Sequence, residues 1–359
     1  MNNYLVSVGT ANPGQAISQE KISKFMINAH GLDQQQGRKL EFIYKRSGIR
    51  FRHSALGDFG RPSYQDFSFF PKNKMLEPFP GTGSRMEAYR NVAPTLATAA
   101  IEDCLAKCST GTSSISHLIL VSCTGMYAPG LEIDLIHKLG MKESIERYAI
   151  HFMGCYAAFT GLKMADRICD SDPKAQVLLV AVELCTLHFQ KEYNEDNLLS
   201  NALFGDGAAA ALVSKEPKGM KISDYQSNLY RKGENDMAWT IGDFGFEMKL
   251  SKYIPDLLEN GIQSLRKTLE DRFKVSGIKN FAIHPGGVQI LNKVEKAFGI
   301  LPEQNRHAHS VLARYGNMSS STILFVLMAL MDDPDLKGNV LAMGFGPGLT
   351  LETLLLHKA

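Results

Sequence analysis

The chain contains no run of about 18 apolar residues, so no segment is long enough to cross a membrane as a helix. It has no strong charge of either sign: 39 basic against 37 acidic residues leave a net charge of +2. That balance gives no reason to expect a nucleic acid or an acidic membrane as partner, although local basic clusters can hold small phosphorylated ligands. There is no CxxC pair among the six cysteines, Cys104, Cys108, Cys123, Cys155, Cys169 and Cys185. Cys104 and Cys108 lie one helical turn apart, but no histidine or further cysteine stands near to complete a metal site, and none is expected. So few cysteines in 359 residues do not make a disulfide framework. The opening Met1-Asn2-Asn3-Tyr4-Leu5-Val6 lacks the basic stretch and apolar core of a secretory leader, so a cytoplasmic location is expected. What is there is ordinary for a globular protein: 44% hydrophobic and 21% charged residues, enough chain for a large core and two subdomains.

Strand and helix patterns alternate. Tyr4–Gly9 reads as a strand and Ser18–His30 as a helix. The Phe-, Pro- and Gly-rich stretch Gly57–Gly83 reads as a long ordered loop, able to cover an entrance. Ser84–Lys107 has helical spacing, with Pro94 kinking or splitting it. Leu118–Thr124 and Val177–Glu183 are apolar enough for strands buried on both faces, and Leu203–Val213 leads into a third. Helices are expected over Glu132–Leu139, Cys155–Cys169, Ile254–Phe273, Val288–Ala297 and Thr322–Met331. Gly233–Phe246 reads as a glycine-containing connection, and Phe281–Ile283, Asn339–Phe345 and Leu349–Leu356 as the last strands. The alternation predicts α/β layers around a mostly parallel sheet. Charge and Pro/Gly content rise over Ser214–Gly219, which divides the chain into halves 1–215 and 216–359.

Three stretches carry chemistry. Cys155 follows a glycine at a helix start, where the dipole and free N–H groups favour a thiolate. His284 ends a strand before Pro285-Gly286-Gly287, and Asn317 lies in Gly316-Asn317-Met318-Ser319-Ser320 before an apolar helix. A cysteine nucleophile needs a base, usually histidine. An amide N–H beside a histidine N–H makes a place for a developing oxyanion. Taken singly, each residue reads as structural. Their joint occurrence at a strand end and two loops, where α/β folds gather functional residues, points to one site.

The chain resembles the type III polyketide synthases, the chalcone/stilbene synthase-like enzymes of the thiolase superfamily. The likeness runs from Val8-Gly9-Thr10-Ala11-Asn12-Pro13 to Gly344-Phe345-Gly346-Pro347-Gly348-Leu349-Thr350. Between these stand Ser122-Cys123-Thr124-Gly125, Met153-Gly154-Cys155, Val182-Glu183-Leu184-Cys185, Leu203-Phe204-Gly205-Asp206-Gly207, Ile283-His284-Pro285-Gly286-Gly287 and Tyr315-Gly316-Asn317-Met318-Ser319-Ser320.

The resemblance implies a five-layer αβαβα thiolase-like fold of two similar halves, and a homodimer. It implies Cys155 as the nucleophile that takes a starter acyl group from coenzyme A, with His284 holding the thiolate as an ion pair. His284 and Asn317 would stabilise the enolate left when malonyl-CoA loses CO₂, so no metal or redox cofactor is required. Phe204 maps to a gatekeeper, with a core phenylalanine as the alternative, and a second gatekeeper falls on Met248, with Phe244 and Phe246 close by. Thr124, Cys185, Leu187, His188 and Ser319 map to the cavity wall, and Ala128 to a position that reaches the partner subunit's cavity. Lys39 and Arg46 match positions that contact coenzyme A phosphates. Phe42 stands at a third such position, for which Lys45 or Arg50 can substitute. Gly286 and Gly287 allow the pantetheine arm close to the backbone.

The product expected is a pyrone, resorcinol or phenol. A fatty-acyl starter ranks slightly ahead of malonyl-only chemistry, because Val182-Glu183-Leu184-Cys185 looks more like microbial members than plant chalcone synthases. The alternatives are a ketoacyl synthase III-like enzyme making one condensation with an acyl carrier protein, a cysteine-dependent acyl-CoA thioester hydrolase, and a silent acyl-binding subunit.

Overall fold

The computed structural model describes residues 2–231, 236–251, 261 and 266–359. The first half contains β1 (Asn3–Ala11), β2 (Ile17–Ser18), α1 (Gln19–Ala29), α2 (Gln34–Arg46), β3 (Phe51–Arg52), α3 (Thr82–Cys108), β4 (His117–Ser122), α4 (Leu131–Leu139) and β5 (Glu146–His151). It continues through α5 (Ala157–Ser171), β6 (Val177–Leu184), α6 (Glu195–Leu203) and β7 (Asp206–Ser214). The second half contains β8 (Met220–Leu229), β9 (Met237–Gly242), β10 (Gly245–Leu250), β11 (Asn280–Ile283), α7 (Val288–Phe298), α8 (Arg306–Tyr315), α9 (Thr322–Met331), β12 (Gly338–Gly346) and β13 (Thr350–Lys358).

Nine strands join in one sheet, in the order β11-β12-β13-β8-β1-β7-β6-β4-β5. The expectation of a mostly parallel sheet is corrected. Only β4 with β5 and β6, and β11 with β12, run parallel, where helices carry the chain back across the sheet. The middle strands β13, β8, β1, β7 and β6 pair antiparallel. Every residue of β4, β6 and β7 is buried, because helices cover both faces there. A strand buried on both sides reads as a continuous apolar run whichever way its neighbour points.

The layers follow from which faces are apolar. Helix α3 covers β1, β7 and β6 on the outside, while α5 and α9 lie between the two ends of the sheet. Helix α9, Thr322-Ile323-Leu324-Phe325-Val326-Leu327, is buried all round, as an interior helix must be. With α7 and α8 outside the β11 end, the arrangement is αβαβα, the thiolase-like order. Gly9 lets α3 press on the sheet, since a Cβ there would lie 2.1 Å from the Cys104 nitrogen. Pro94 does not split α3, which is one 27-residue element.

Gly233 and the first turns of the helix expected over Ile254–Phe273 lie outside the described residues, while residues 266–273 are helical. The stretch read as a connection up to Phe246 is instead the hairpin β9–β10, in which Met248 pairs with Trp239. Strands β5 and β8 and helices α6 and α8 were not anticipated.

Candidate active site

The turn after β5 sets up Cys155. Gly154 adopts φ +78°, a left-handed conformation that favours glycine, and a Cβ there would meet Pro347 at 2.2 Å. The loop Gly346-Pro347-Gly348 from the second half thus presses directly on the turn that presents the cysteine. Cys155 lies in a single 3-10 turn, Gly154–Tyr156, that feeds α5. Its side chain is 8% exposed.

Asn317 is placed by backbone on both sides. Its N–H donates to the Leu203 carbonyl and its own carbonyl accepts from the Gly205 N–H, each at 2.9 Å. Gly316 turns the chain with φ +70°, and a Cβ there would strike the Leu203 oxygen at 2.8 Å. The amide orientation is fixed as well: Oδ1 accepts from the Ser319 N–H at 2.9 Å. Nδ2 therefore faces the cysteine, 3.9 Å from Cys155 Sγ and 3.4 Å from the Gly286 carbonyl oxygen.

His284 follows β11, its N–H donating to the Met343 carbonyl at 2.7 Å. It is 1% exposed, and neither ring nitrogen has a hydrogen-bond partner among the described residues. Burial pushes the imidazole down to about 3. Burial likewise pushes the Cys155 thiol up to about 11, against the pull of hydrogen bonds from Ser319 and Asn317. Desolvation penalises each charge and so works against the thiolate–imidazolium pair expected from the sequence.

Cys155, His284 and Asn317 line one cavity together with Thr124, Cys185, Phe204, Met248 and Ser319. Its free volume is only about 30 Å³, and Trp239, Met248 and Leu250 of the β9–β10 hairpin line it. Trp239 Nε1 donates to the Cys123 carbonyl at 2.7 Å and ties the hairpin to the cysteine side. Behind Thr124 lies Glu183, fully buried, whose carboxylate accepts from the Cys123 N–H at 3.0 Å, Thr124 Oγ1 at 2.9 Å and Ser320 Oγ. Burial pushes this carboxyl up to about 7 despite those bonds. Neither Trp239 nor Glu183 was singled out from the sequence. A lone carboxylate inside the apolar run Val177–Leu184 was the available signal.

A second, outer groove of about 310 Å³ meets this cavity at Leu250, Gly286 and Ile290. Phe42 and Arg46 of α2, and Gly287 and Val288 at the start of α7, line it. The guanidinium of Arg46 stacks over the exposed Phe42 ring, 4.6 Å from its centroid. The groove thus has a cation at the surface and two glycines on the side where it borders the cysteine cavity.

Residues 2–217 match the model of the chalcone and stilbene synthase N-terminal domain, and residues 223–359 that of the C-terminal domain. The chain belongs to the type III polyketide synthases. It is a condensing enzyme of the acyltransferase class. The "Type III polyketide synthase A" of Arabidopsis thaliana is 28% identical over 371 residues, covering 99% of this chain and 92% of that protein. The same identity, over 369 residues and 99% of this chain, holds for the "Probable polyketide synthase 1" of Dictyostelium discoideum, of whose length the chain spans 11%. The crystal structure of the C-terminal type III polyketide synthase domain of Steely1, a type I/III hybrid from Dictyostelium, superposes with a TM-score of 0.92 at 26% identity, covering 100% of this chain and 99% of that one.

For a type III polyketide synthase, the remaining expected residues sort by position. Phe204 and Met248 each line both the cysteine cavity and a further cavity beside it. Phe246 lines only the further cavity, and Phe244 is half exposed at the hairpin turn. His188 also faces only the further cavity: its Nε2–H donates to the Thr124 carbonyl at 2.7 Å, and Nδ1 accepts from the Phe246 N–H at 2.9 Å. Leu187 is fully buried in the core under α3, outside the lining of both cavities, and its carbonyl accepts from Arg85. Lys39 stands one turn before Phe42 and Ile43 on α2, exposed and outside the groove lining. Ala128 is exposed on the surface, away from this chain's own cavity. Among the described residues, no helix is long and apolar enough to cross a membrane.

Proposed function

We propose that this chain loads an acyl group from coenzyme A onto Cys155, extends it with malonyl-CoA by decarboxylative condensation, and releases a cyclised pyrone, resorcinol or phenol. The observation that carries the reading is the fixed amide of Asn317. Its oxygen is held by the Ser319 N–H, so its N–H₂ is directed at Cys155 Sγ in the cavity where His284 has both nitrogens free of partners. In loading, His284 takes the thiol proton as Sγ attacks the thioester carbonyl. The coenzyme A sulfur leaves with the bonding pair and recovers that proton. In extension, the bond from the malonyl carboxyl to the α-carbon breaks and releases CO₂. The electron pair moves onto the thioester oxygen, where Asn317 Nδ2–H and a His284 N–H meet it. The enolate carbon then attacks the Cys155 thioester and displaces the thiolate.

Arg46 and the Gly286-Gly287 backbone suit the nucleotide and pantetheine parts of coenzyme A. A fatty-acyl starter ranks ahead of a malonyl-only route. A homodimer fits the outer edge of β5, which has no strand partner among the described residues, and the exposed Met126 and Ala128 in the loop after β4.

The test is mass spectrometry of products from malonyl-CoA with acyl-CoA starters, short to long, beside Cys155→Ala. Pyrones, resorcinols or phloroglucinol-type products that vanish in the variant are expected. Free acids alone, or one extension that requires an acyl carrier protein, would overturn the proposal.

A further inference from the structure

Neither ring nitrogen of His284 has a hydrogen bond among the described residues, so no polar contact of its own side chain fixes the imidazole. Its place is set by the backbone that carries it. On one side the His284 N–H donates to the Met343 carbonyl of β12 at 2.7 Å. On the other side lies an edge. Strand β11 is four residues long and ends the sheet, and an edge strand leaves its outward N–H groups without a ladder partner.

The 3-10 turn Pro302–Asn305 runs along that edge. Gln304 Nε2–H donates to the Lys279 carbonyl, just before the strand, at 3.2 Å. Asn305 Oδ1 accepts from the Ile283 N–H, the last residue of the strand, at 3.3 Å. Asn305 is fully buried and Glu295 nearly so. Asn305 Nδ2–H donates to Glu295 Oε1 on α7 at 2.9 Å, and the same oxygen accepts from His309 Nε2–H on α8 at 2.7 Å. His309 is partly exposed, so this chain of bonds runs from the surface to the residue before His284.

Asn305 stands at the N-cap of α8, where an asparagine side chain ordinarily accepts a bond from its own helix. It makes no such bond. The amide is turned to the strand end instead, and helix stability does not account for that orientation. The bonds also tie together the elements that frame the site. Strand β11 runs into His284, α7 starts after Gly286-Gly287, and α8 ends before Gly316-Asn317.

We propose that Asn305, held in turn by Glu295 and His309, is a positioning residue for His284: it fixes the end of β11 so that the unpartnered imidazole meets Cys155 and the malonyl thioester in working register. The inference rests on the reading that His284 serves Cys155 as base and the thioester oxygen as donor. A displacement of about 1 Å caused by a change remote from the chemistry can cost about a hundredfold in rate. None of the three residues lines the cysteine cavity, so substrate affinity should be left alone.

The experiment is a double-mutant cycle between His284→Gln and Asn305→Leu, which keeps the volume of the side chain and removes both of its bonds. Two rates are read: alkylation of Cys155 by iodoacetamide, followed by peptide mass, and release of CO₂ from malonyl-CoA. Each is taken per folded molecule, with the folded fraction from urea melts. Asn305→Leu should lower both rates about tenfold, and the KM for malonyl-CoA should stay within about twofold of the wild type. In the His284→Gln background it should lower them no further, because a residue that acts through another has nothing left to act on. Asn305→Asp combined with Glu295→Gln should restore most of the rate. That pair keeps one negative charge and an acceptor for the Ile283 N–H, with the donor between the two side chains reversed. Should Asn305→Leu fold poorly, His309→Phe loosens Glu295 from the exposed end and should show a smaller loss that is likewise absent in the His284→Gln background.

Losses that add across the two backgrounds, unchanged rates per folded molecule, or a raised KM with kcat intact would overturn the positioning role. The expected alkylation pattern in an enzyme that releases no CO₂ from malonyl-CoA would overturn the proposed function alone. Both rates untouched by His284→Gln would overturn both.

Discussion

Two buried histidines, one in each half of the chain, separate structure from chemistry. His188 and His284 are both almost fully buried, and burial pushes both imidazoles down to about 3. His188 spends both ring nitrogens, on the Thr124 carbonyl and the Phe246 N–H, and stacks on the Phe246 ring at 4.1 Å. His284 spends neither. The low pKa, common to both, identifies neither role. The hydrogen-bond ledger does: a buried polar group that is fully paired holds the fold, and one left unpaired is waiting for a partner. Glu183 belongs with His188, since its oxygens are taken by Cys123, Thr124 and Ser320.

The comparison breaks most visibly in the rates. His284→Gln should lower product formation about a thousandfold, the upper range for removing a donor aimed at an oxyanion. Its stability should change by less than about 1 kcal/mol, because no hydrogen bond of the folded chain is lost. Turnover and urea melts on the same preparation check both halves; a large loss of stability would make His284 a second His188. Asn317→Ala should follow, with malonyl-CoA decarboxylation down about a hundredfold or more. Acyl loading of Cys155, read by intact mass, should fall less. Equal losses in the two steps would remove the division of labour between loading and decarboxylation.

Glycine made the site legible in the sequence. Gly154 and Gly316 occupy left-handed conformations and would collide with Pro347 and Leu203 if they carried a Cβ. The motifs around Cys155 and Asn317 are therefore steric requirements of the loops. The interior helix Thr322–Met331 and the strands β4 and β6 were legible for a similar reason, since full burial leaves an unbroken apolar run. Strand direction was hidden by that same uniformity. The β9–β10 hairpin was hidden because its burial is patchy and glycines flank its turn. Helix α8 buries only Ala308, Val311 and Leu312 among histidines and arginines, too thin a stripe to stand out. Of the residues transferred from the family as cavity wall, Cys185 lines the cysteine cavity and Leu187 is buried in the core, because neighbouring residues of a short turn point to different layers.

Smaller effects sharpen the same contrast. His188→Ala should destabilise the fold by about 2–4 kcal/mol, by stranding the Phe246 N–H and the Thr124 carbonyl and removing a stacked ring. Denaturant melts at neutral pH measure this directly; a loss under about 1 kcal/mol would deny His188 its structural role.

The smallest effect concerns proton linkage and depends on sign. Glu183 is raised to about 7 from an ordinary 4.5, so between those values the folded chain holds a proton that the unfolded chain has lost. Its contribution is fully present below pH 4.5 and is lost as pH rises towards 7. The two histidines act the other way. Each is depressed to about 3, so their contribution is present above the ordinary histidine value of about 6.5 and is lost as pH falls. Between pH 5 and 6.5 the carboxyl therefore offsets one of the two histidines. Glu183→Gln removes that offset without changing the histidines. Its stability should fall on acidification from pH 6.5 to 5 by about 2 kcal/mol more than the wild type's, at roughly 1.4 kcal/mol per proton per pH unit. Parallel slopes for the two proteins would mean that Glu183 is ionised throughout this range, and that its three donors outweigh its burial.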